Sequence, residues 1–518
     1  MNNFNELARN VYKMREGLFL KQIIILLLFF TLHHLHAYSG NNQGSQQQNK
    51  KYEATLASLR QHKAPEWFKD AKFGMFVDWG VFSVPGWGPI IEENRAVYPD
   101  WYLKKMYEAE VWREYHVKTW GEDFERDDFI PMFQARDYDP EGLAQIAEDA
   151  GMQYVIPFAK HCTGFCLWPS SYTERDAMDM GPKRDLIKPL VKACEKRDLK
   201  FGFYYCLEEW EYPIMKNDEV SEIRLWGYGN PAVRTEPYDE EKYEGMLTGK
   251  RPVEDYFGDY ILPQAKEFID MYDPDILWLD AEWHTSYEEM RTPELVSYFY
   301  NQAAGRKEVV SNDRLGRSIR HKIGDFFTSE YHSLESAQSK IVHLWEENRG
   351  ISRSFGYNRQ DTEENVLPVE EFINLFIRTV SENGNLLLIV NLDGQGALPE
   401  IQAKRLREIG DWLDVNGEAI YGSRPWLVPK EGDHVRFTQS KDGKYVYAIC
   451  TQWPDEELKL GSVFLKGENP EVRMLGTDKP LNWHYEQKKF GKLVIEVPEE
   501  LKNEHPSDYA YVIKMQLY

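Results

Sequence analysis

The sequence predicts an α/β protein: a (β/α)8-like TIM barrel followed by a C-terminal antiparallel β-sandwich. Two patterns carry this. From about residue 70 to about 390, short near-continuous apolar runs alternate with segments of helical periodicity, as a parallel sheet covered on both faces requires. After residue 430, short strand-like pieces follow one another with only Gly-, Asp- and Lys-containing loops between them. About eight strand–helix units over about 330 residues fit a closed barrel better than an open doubly wound sheet.

The elements are read in order. Residues 72–78 (KFGMFVD) form the first strand. Asp139 and Pro140 supply an N-cap and a first-turn proline. Leu143, Ile146, Ala147 and Ala150 then recur on one helical face, and Gly151 ends the helix. Strand two is 154–159 (YVIPFA). A helix facing inward through Ile187, Leu190, Val191 and Cys194 leads to strand three, 201–206 (FGFYYC). A helix over 259–271 leads to strand four, 276–280 (ILWLD), and one over 293–303 to strand five, 309–313. Residues 326–330 make the sixth strand and 350–357 the seventh. A helix over 368–382 leads to the eighth, 385–390 (NLLLIV), and a last helix covers 399–414. The tail pieces VRFTQ, YVYAICTQ, VRMLG, LVIEV and YAYVIKMQL build the sandwich.

The amino terminus reads as an address. Lys13, Arg15 and Lys21 flank a ten-residue run, 23–32, that is apolar except for Thr31, and Ala37 offers a small exit residue. The run is too short to span a bilayer comfortably, so no stable span remains after cleavage. The expected domains are a signal peptide over 1–37, a flexible leader over 38–58, a catalytic barrel over 59–428 and a sandwich over 429–518. The mature protein is expected to be exported, periplasmic or secreted.

A net charge of -23 repels phosphate backbones, which excludes nucleic acid as an expected partner. Five scattered cysteines form no disulfide framework and read as buried thiols. Aromatics reach 14%, which fits large cores and also sugar binding, since flat rings cover the C–H faces of pyranoses.

In a parallel barrel the chemistry lies at the carboxyl ends of the strands. Those ends carry Asp78, His161 with Cys162, Glu208 with Glu209, Asp280 with Glu282, Asp313 with Arg314, and Glu330. Carboxylates and aromatics round one rim suit glycoside hydrolysis, which needs a nucleophile and an acid/base. His161 stands largely alone among possible metal ligands, so neither a metal nor a cofactor is expected.

The ordered motifs resemble the family 29 glycoside hydrolases, the retaining α-L-fucosidases. They are Trp67-Phe68, Lys72-Phe73-Gly74, Trp79-Gly80 and Ser83-Val84-Pro85. Next come Lys160-His161, Gly164-Phe165, Trp168-Pro169-Ser170, Arg184-Asp185-Leu186 and Trp278-Leu279-Asp280. Last are Gly324-Asp325-Phe326, Gly356-Tyr357-Asn358, the run 383–388, the run 416–422 and Arg424-Pro425-Trp426. The resemblance implies that Asp280 is the nucleophile and Glu330 the acid/base, with Glu346 and then Glu282 as competitors for the second role. It implies a sugar pocket of His161, Tyr204, Trp278 and Arg314, with Trp101 and Phe355 on its apolar side. Asp78 and Cys162 depart from the family pattern, which has histidine at both positions. Two imidazole donors are thus replaced by an acceptor and a weakly polar thiol. The implied substrate is an oligosaccharide or polysaccharide ending in an α-L-fucosyl residue or a relative such as α-L-galactosyl. The alternative is a catalytically inactive carbohydrate-binding homologue.

Overall fold

A computed structural model describes residues 51–90, 96–227, 232–249, 251–331, 343–467, 469–488 and 491–517. The expected signal peptide and most of the leader lie outside these residues. The folded chain begins before the leader's expected end. Tyr52 is buried and packs edge-on against His62 and Tyr300, and Thr55 caps a short helix over Leu56–Leu59. Residues 52–300 and 309–518 form one compact unit, and the account below concerns that unit.

Eight parallel strands make the barrel: β1 (Phe73–Asp78), β2 (Tyr154–Lys160), β3 (Lys200–Cys206), β7 (Ile276–Asp280), β8 (Val310–Ser311), β9 (Phe327–Glu330), β10 (Trp345–Gly350) and β11 (Gly384–Asn391). The numbers β4 to β6 belong to an insertion between β3 and β7. Closure is made by the first and last strands, which pair from Phe73↔Leu386 to Asp78↔Asn391. β1, β2 and β11 are buried along their whole length, which is why their sequences are apolar without alternation. The covering helices include α1 (Pro140–Asp149), α2 (Ile187–Glu195), α3 (Leu262–Tyr272), α4 (Thr292–Ala303), α5 (Val369–Ser381) and α6 (Glu400–Asn416). In α1 the Asp139 side chain accepts the Gly142 N–H at 3.0 Å, the cap that the sequence predicts.

Three differences from the expected order have physical causes. The seventh strand is Trp345–Gly350, not 350–357. Its sequence, WEENRG, looks like a surface loop, yet two of its polar side chains find partners inside the barrel. Glu346 accepts from Tyr154 and Trp278, and Asn348 donates to the Ser329 carbonyl. Residues 351–357 instead make isolated bridges, Ser354 to Val97 and Ser352 to Val366. The second difference is the insertion: β4 (Glu211–Lys216), β5 (Glu219–Trp226) and β6 (Val233–Pro237) form an antiparallel sheet on the rim. Their charged residues hid the strand pattern. The third is a single turn of helix, Glu499–Asn503, within the tail.

The barrel's weak seam lies between β8 and β9, which share no ladder among the described strands. β8 is only two residues long, so side chains close the gap. The Asp325 N–H donates to the Ser311 carbonyl, and the Asp325 carboxylate accepts from the Ser311 N–H, Tyr300 and His62. The buried Asp313 carboxylate accepts the Thr328 N–H at 3.0 Å, the Thr328 hydroxyl at 2.8 Å and the His321 N–H at 2.9 Å.

The tail forms a five-stranded sheet: β12 (Arg424–Glu431), β13 (Val435–Gln439), β14 (Tyr445–Cys450), β19 (Tyr511–Gln516) and β16 (Val472–Met474), in that order. A three-stranded sheet of β15 (Glu457–Leu460), β18 (Leu493–Glu496) and β17 (Trp483–Tyr485) faces it. Phe437, Val446, Leu460, Leu493, Ile495 and Ile513 fill the space between. Among the hydrogen bonds that tie the sandwich to the barrel are those from Trp412 to the Ala510 carbonyl, from Thr438 to that of Ala419 and from Lys441 to Asp70.

Asp313→Ala leaves three donors at the seam without their acceptor and is expected to cost about 3 kcal/mol. A urea titration reads this as a lower midpoint at unchanged slope. An unchanged midpoint means that the seam is held by something else.

Candidate active site

The carboxyl ends of β1, β2, β3, β7, β9 and β10 surround a hollow that opens to solvent at its mouth. The side chains lining it grade from a dry floor to a wetter opening. Phe76, Phe158, Tyr204 and Trp278 are buried at the floor. Phe158 stacks on Tyr204 at 3.9 Å and 6°, and Tyr204 lies along Trp278 at 5.6 Å. Asp280, Glu330, Tyr98 and Trp283 are half-buried at the opening.

Asp280 ends β7. Its Oδ1 accepts from Arg314 Nη1 at 2.6 Å and its Oδ2 from the Tyr204 hydroxyl at 2.7 Å. Ala281, the next residue, has φ +74, an uncommon conformation for a residue with a Cβ, of the kind that gathers at functional sites. Glu330 ends β9. Its Oε1 accepts from the Tyr98 hydroxyl at 2.6 Å, and its Oε2 lies 3.6 Å from Arg314 Nη2. One guanidinium therefore touches both carboxylates. Arg314 is itself fixed by Thr328 at 3.1 Å and by the Trp278 ring, 4.8 Å from the guanidinium carbon. Burial works against its charge, but Asp280, Glu282 and Glu330 outweigh that and hold the guanidinium firmly protonated.

The other two acids considered for the second role sit elsewhere. Glu346 is wholly buried, with one oxygen on Tyr154 at 2.6 Å and the other on Trp278 Nε1 at 2.9 Å. It fixes the floor's indole and does not line the hollow. Glu282 is buried 3.2 Å from Arg320.

The inner end of the hollow is polar and poorly satisfied. His161 is buried there, and its Nε2 lies 3.6 Å from Asp100 Oδ2 and 3.9 Å from Cys162 Sγ. Burial pulls its pKa down to about 4 against the pull of Asp280, so the imidazole is neutral at pH 7. Cys162 Sγ lies 3.0 Å from Cys206 Sγ. Asp78 is fully buried and does not line the hollow, and neither of its oxygens has a hydrogen-bond partner among the described residues. Asp100 does line the hollow. Burial raises both carboxyls, and each is raised further by charged neighbours: Asp78 by Asp100, and Asp100, to about 7 despite Lys105, by Glu330 and Asp280. Gly356 permits this crowding, because a Cβ there would lie 2.7 Å from the Asp100 nitrogen and 3.2 Å from Asp78 Oδ2.

The lining thus contains every residue expected from sequence except Asp78, namely Trp101, His161, Cys162, Tyr204, Trp278, Asp280, Arg314, Glu330 and Phe355. It adds Phe76, Tyr98, Asp100, Phe158, Trp283 and Asn348, which sequence reasoning did not assign. Asp100 adjoins the expected Trp101, and Trp283 follows Asp280 by three positions, so proximity was the available signal. Glu208 and Glu209, at the end of β3, turn to Arg224 and to Lys160. Among the described residues no group of histidine, cysteine and acidic side chains could hold a metal ion.

Two carboxylates on one guanidinium, at the mouth of a barrel hollow floored by aromatics, supply the pair of acids that a glycoside hydrolase uses. Comparison with known proteins identifies which kind. Residues 40–418 match the alpha-L-fucosidase family model, and residues 430–516 match the alpha-L-fucosidase C-terminal domain. The chain belongs to the alpha-L-fucosidase family, whose hydrolysis is of the retaining type. It is 31% identical over 472 residues to an alpha-L-fucosidase of Branchiostoma floridae, covering 90% of this chain and 96% of that one. It is also 31% identical over 472 residues to human plasma alpha-L-fucosidase, covering 90% and 92%. A Thermotoga maritima alpha-fucosidase solved with fucose superposes with a TM-score of 0.71 at 32% identity, covering 90% of this chain and all of that one.

Burial raises the Glu346 carboxyl to about 7, although the hydrogen bonds from Tyr154 and Trp278 pull the other way. A carboxyl raised above its unfolded value near 4.3 stabilises the fold below that value and loses the contribution as pH rises through about 7. Thermal melts should therefore show wild type losing stability relative to Glu346→Gln between about pH 4 and pH 8. Parallel curves would show that the carboxyl is already ionised at the low end.

Proposed function

We propose that the protein is an exported, exo-acting retaining hydrolase in which Asp280 is the nucleophile and Glu330 the acid/base. The observation that carries this reading is the Arg314 guanidinium shared between the two carboxylates. In the first step an Asp280 oxygen attacks the anomeric carbon. The glycosidic C–O bond breaks as Glu330 gives its proton to the leaving oxygen. In the second step water gives a proton to Glu330, its oxygen attacks the same carbon, and the Asp280 carboxylate leaves. Arg314 and Tyr204 hold Asp280 oriented before attack, and Trp278 forms the floor under the sugar. Tyr98 orients Glu330 through its hydroxyl. Retention of both acids and their supports argues against the non-catalytic alternative.

The closed, aromatic floor supports removal of a single terminal residue. The basic flank and apolar run near the amino terminus support export. Neutral His161 has one ring nitrogen, Nδ1, without a hydrogen-bond partner among the described residues, which supports a role in binding a sugar hydroxyl. The terminal sugar is an α-L-fucosyl residue or its 6-hydroxylated relative, α-L-galactosyl. Asp100, backed by Asp78, brings additional carboxyl oxygens to the inner end, where an extra hydroxyl could be bound. The direct contact expected of Asp78 passes to Asp100.

Asp280→Gly should lower kcat on a nitrophenyl glycoside by on the order of 10⁴ or more. Azide should restore turnover and give a glycosyl azide of inverted configuration. Full activity of the variant without azide removes Asp280 from the mechanism. Turnover of nitrophenyl α-L-galactoside by the wild type should equal or exceed that of the α-L-fucoside. A strong fucoside preference rejects the wider sugar choice while leaving the carboxylate roles intact.

A further inference from the structure

We propose that Trp283, braced by the inserted β4–β5–β6 sheet, is the platform on which the leaving-group sugar stacks. The proposal rests on the site reading above and names a specificity residue within it. Four observations lead to it.

The first is position. The floor residues Phe76 and Tyr204 are 0% and 2% exposed, whereas Trp283 is half-buried at the opening with Asp280 and Glu330. A terminal sugar bound against the floor directs its anomeric oxygen toward the two carboxylates. The next ring of the glycan must then lie at the mouth, where Trp283 is. The second is rigidity. Trp283 stacks on Trp226 of β5 at 5.5 Å and 17°. Trp226 is 1% exposed and packs in turn on Trp101 at 5.6 Å. Three indoles in a row fix the plane of the outermost one.

The third is the attachment of the brace. Arg224, two residues before Trp226, pairs with Glu208 at 2.9 Å and donates to the Thr285 hydroxyl at 3.2 Å. Thr285 lies two residues beyond Trp283, so the same strand grips the loop on which the platform stands. Buried on both sides, this pairing sets the strand against the rim at the cost of desolvating a guanidinium and a carboxylate. The fourth is chemistry. An indole offers a broad, flat apolar face with little conformational freedom to lose, which suits the C–H face of a pyranose. The ligand class is a pyranose-containing leaving group, as in an oligosaccharide.

The test compares two donors carrying the enzyme's preferred sugar: the glycosyl fluoride, whose leaving group has no ring, and a disaccharide. For each variant the readout is the ratio of kcat/KM on the disaccharide to kcat/KM on the fluoride. In Trp283→Ala the ratio should fall about tenfold, which corresponds to about 1.4 kcal/mol of lost stacking. Trp283→Phe, which keeps a flat ring, should recover most of it. Trp226→Leu, which removes only the brace, should lower the ratio by less. A ratio equal to wild type in Trp283→Ala, or a fluoride rate that falls as far as the disaccharide rate, overturns the platform. Failure of the wild type to hydrolyse the fluoride at all overturns the site reading itself.

Discussion

The site depends on one guanidinium held between two carboxylates. Arg314 must remain charged in a place without water, and it does so because acids surround it. Removing either acid leaves a buried cation under-compensated, and removing the arginine leaves the acids to repel each other. The cost of assembling such a cluster is high, and packing alone would be served better by apolar side chains. What the cluster does is bring both carboxyls to the mouth of the hollow beside one guanidinium. The residues around it serve that arrangement. Tyr204 and Tyr98 each donate one short hydrogen bond to one acid, and Trp278 carries the cation on its face.

Polar residues of β10 lie close to the site, and one of them, Asn348, lines the hollow. β10 presents Glu346 and Asn348 inward; both oxygens of Glu346 are engaged by neighbouring strands, and Asn348 donates to the Ser329 carbonyl. Glu346 links Tyr154 on β2 to Trp278 on β7, across the barrel's interior. The floor indole is thus oriented by a carboxylate that does not line the hollow. Glu346, a competitor for the acid/base role in the sequence, is thus held between Tyr154 and Trp278 and does not line the hollow.

Much of this arrangement was legible in the residues. The buried strands β1, β2, β3, β7 and β11 announce themselves by uninterrupted apolar runs, and Asp280 closes one of them. The resemblance to a known family marked Glu330 and Arg314. What stayed hidden has a common cause: polar segments whose partners are distant in sequence. β10 reads as a loop until Tyr154 and Trp278 are placed beside it. The β4–β5–β6 sheet reads as a charged surface until Arg224 meets Glu208. Asp100 and Tyr98 sit on a short turn over 98–101 with no periodic signal, and only the fold brings them to the hollow. Asp78 was visible as an unusual residue, but its distance from the hollow was not.

The seam between β8 and β9 divides the two acids. Asp280 stands on the β7 side and Glu330 begins the far side, with Arg314 on the stretch that crosses between them. Elsewhere in the barrel, main-chain ladders set the spacing of neighbouring strands; here a pair of aspartates, 313 and 325, sets it through their side chains. The stretch that joins Asp280 to Glu330 is therefore held in part by side-chain carboxylates that do not line the hollow, so a change at either aspartate would reach the strands of both acids without altering any residue of the lining.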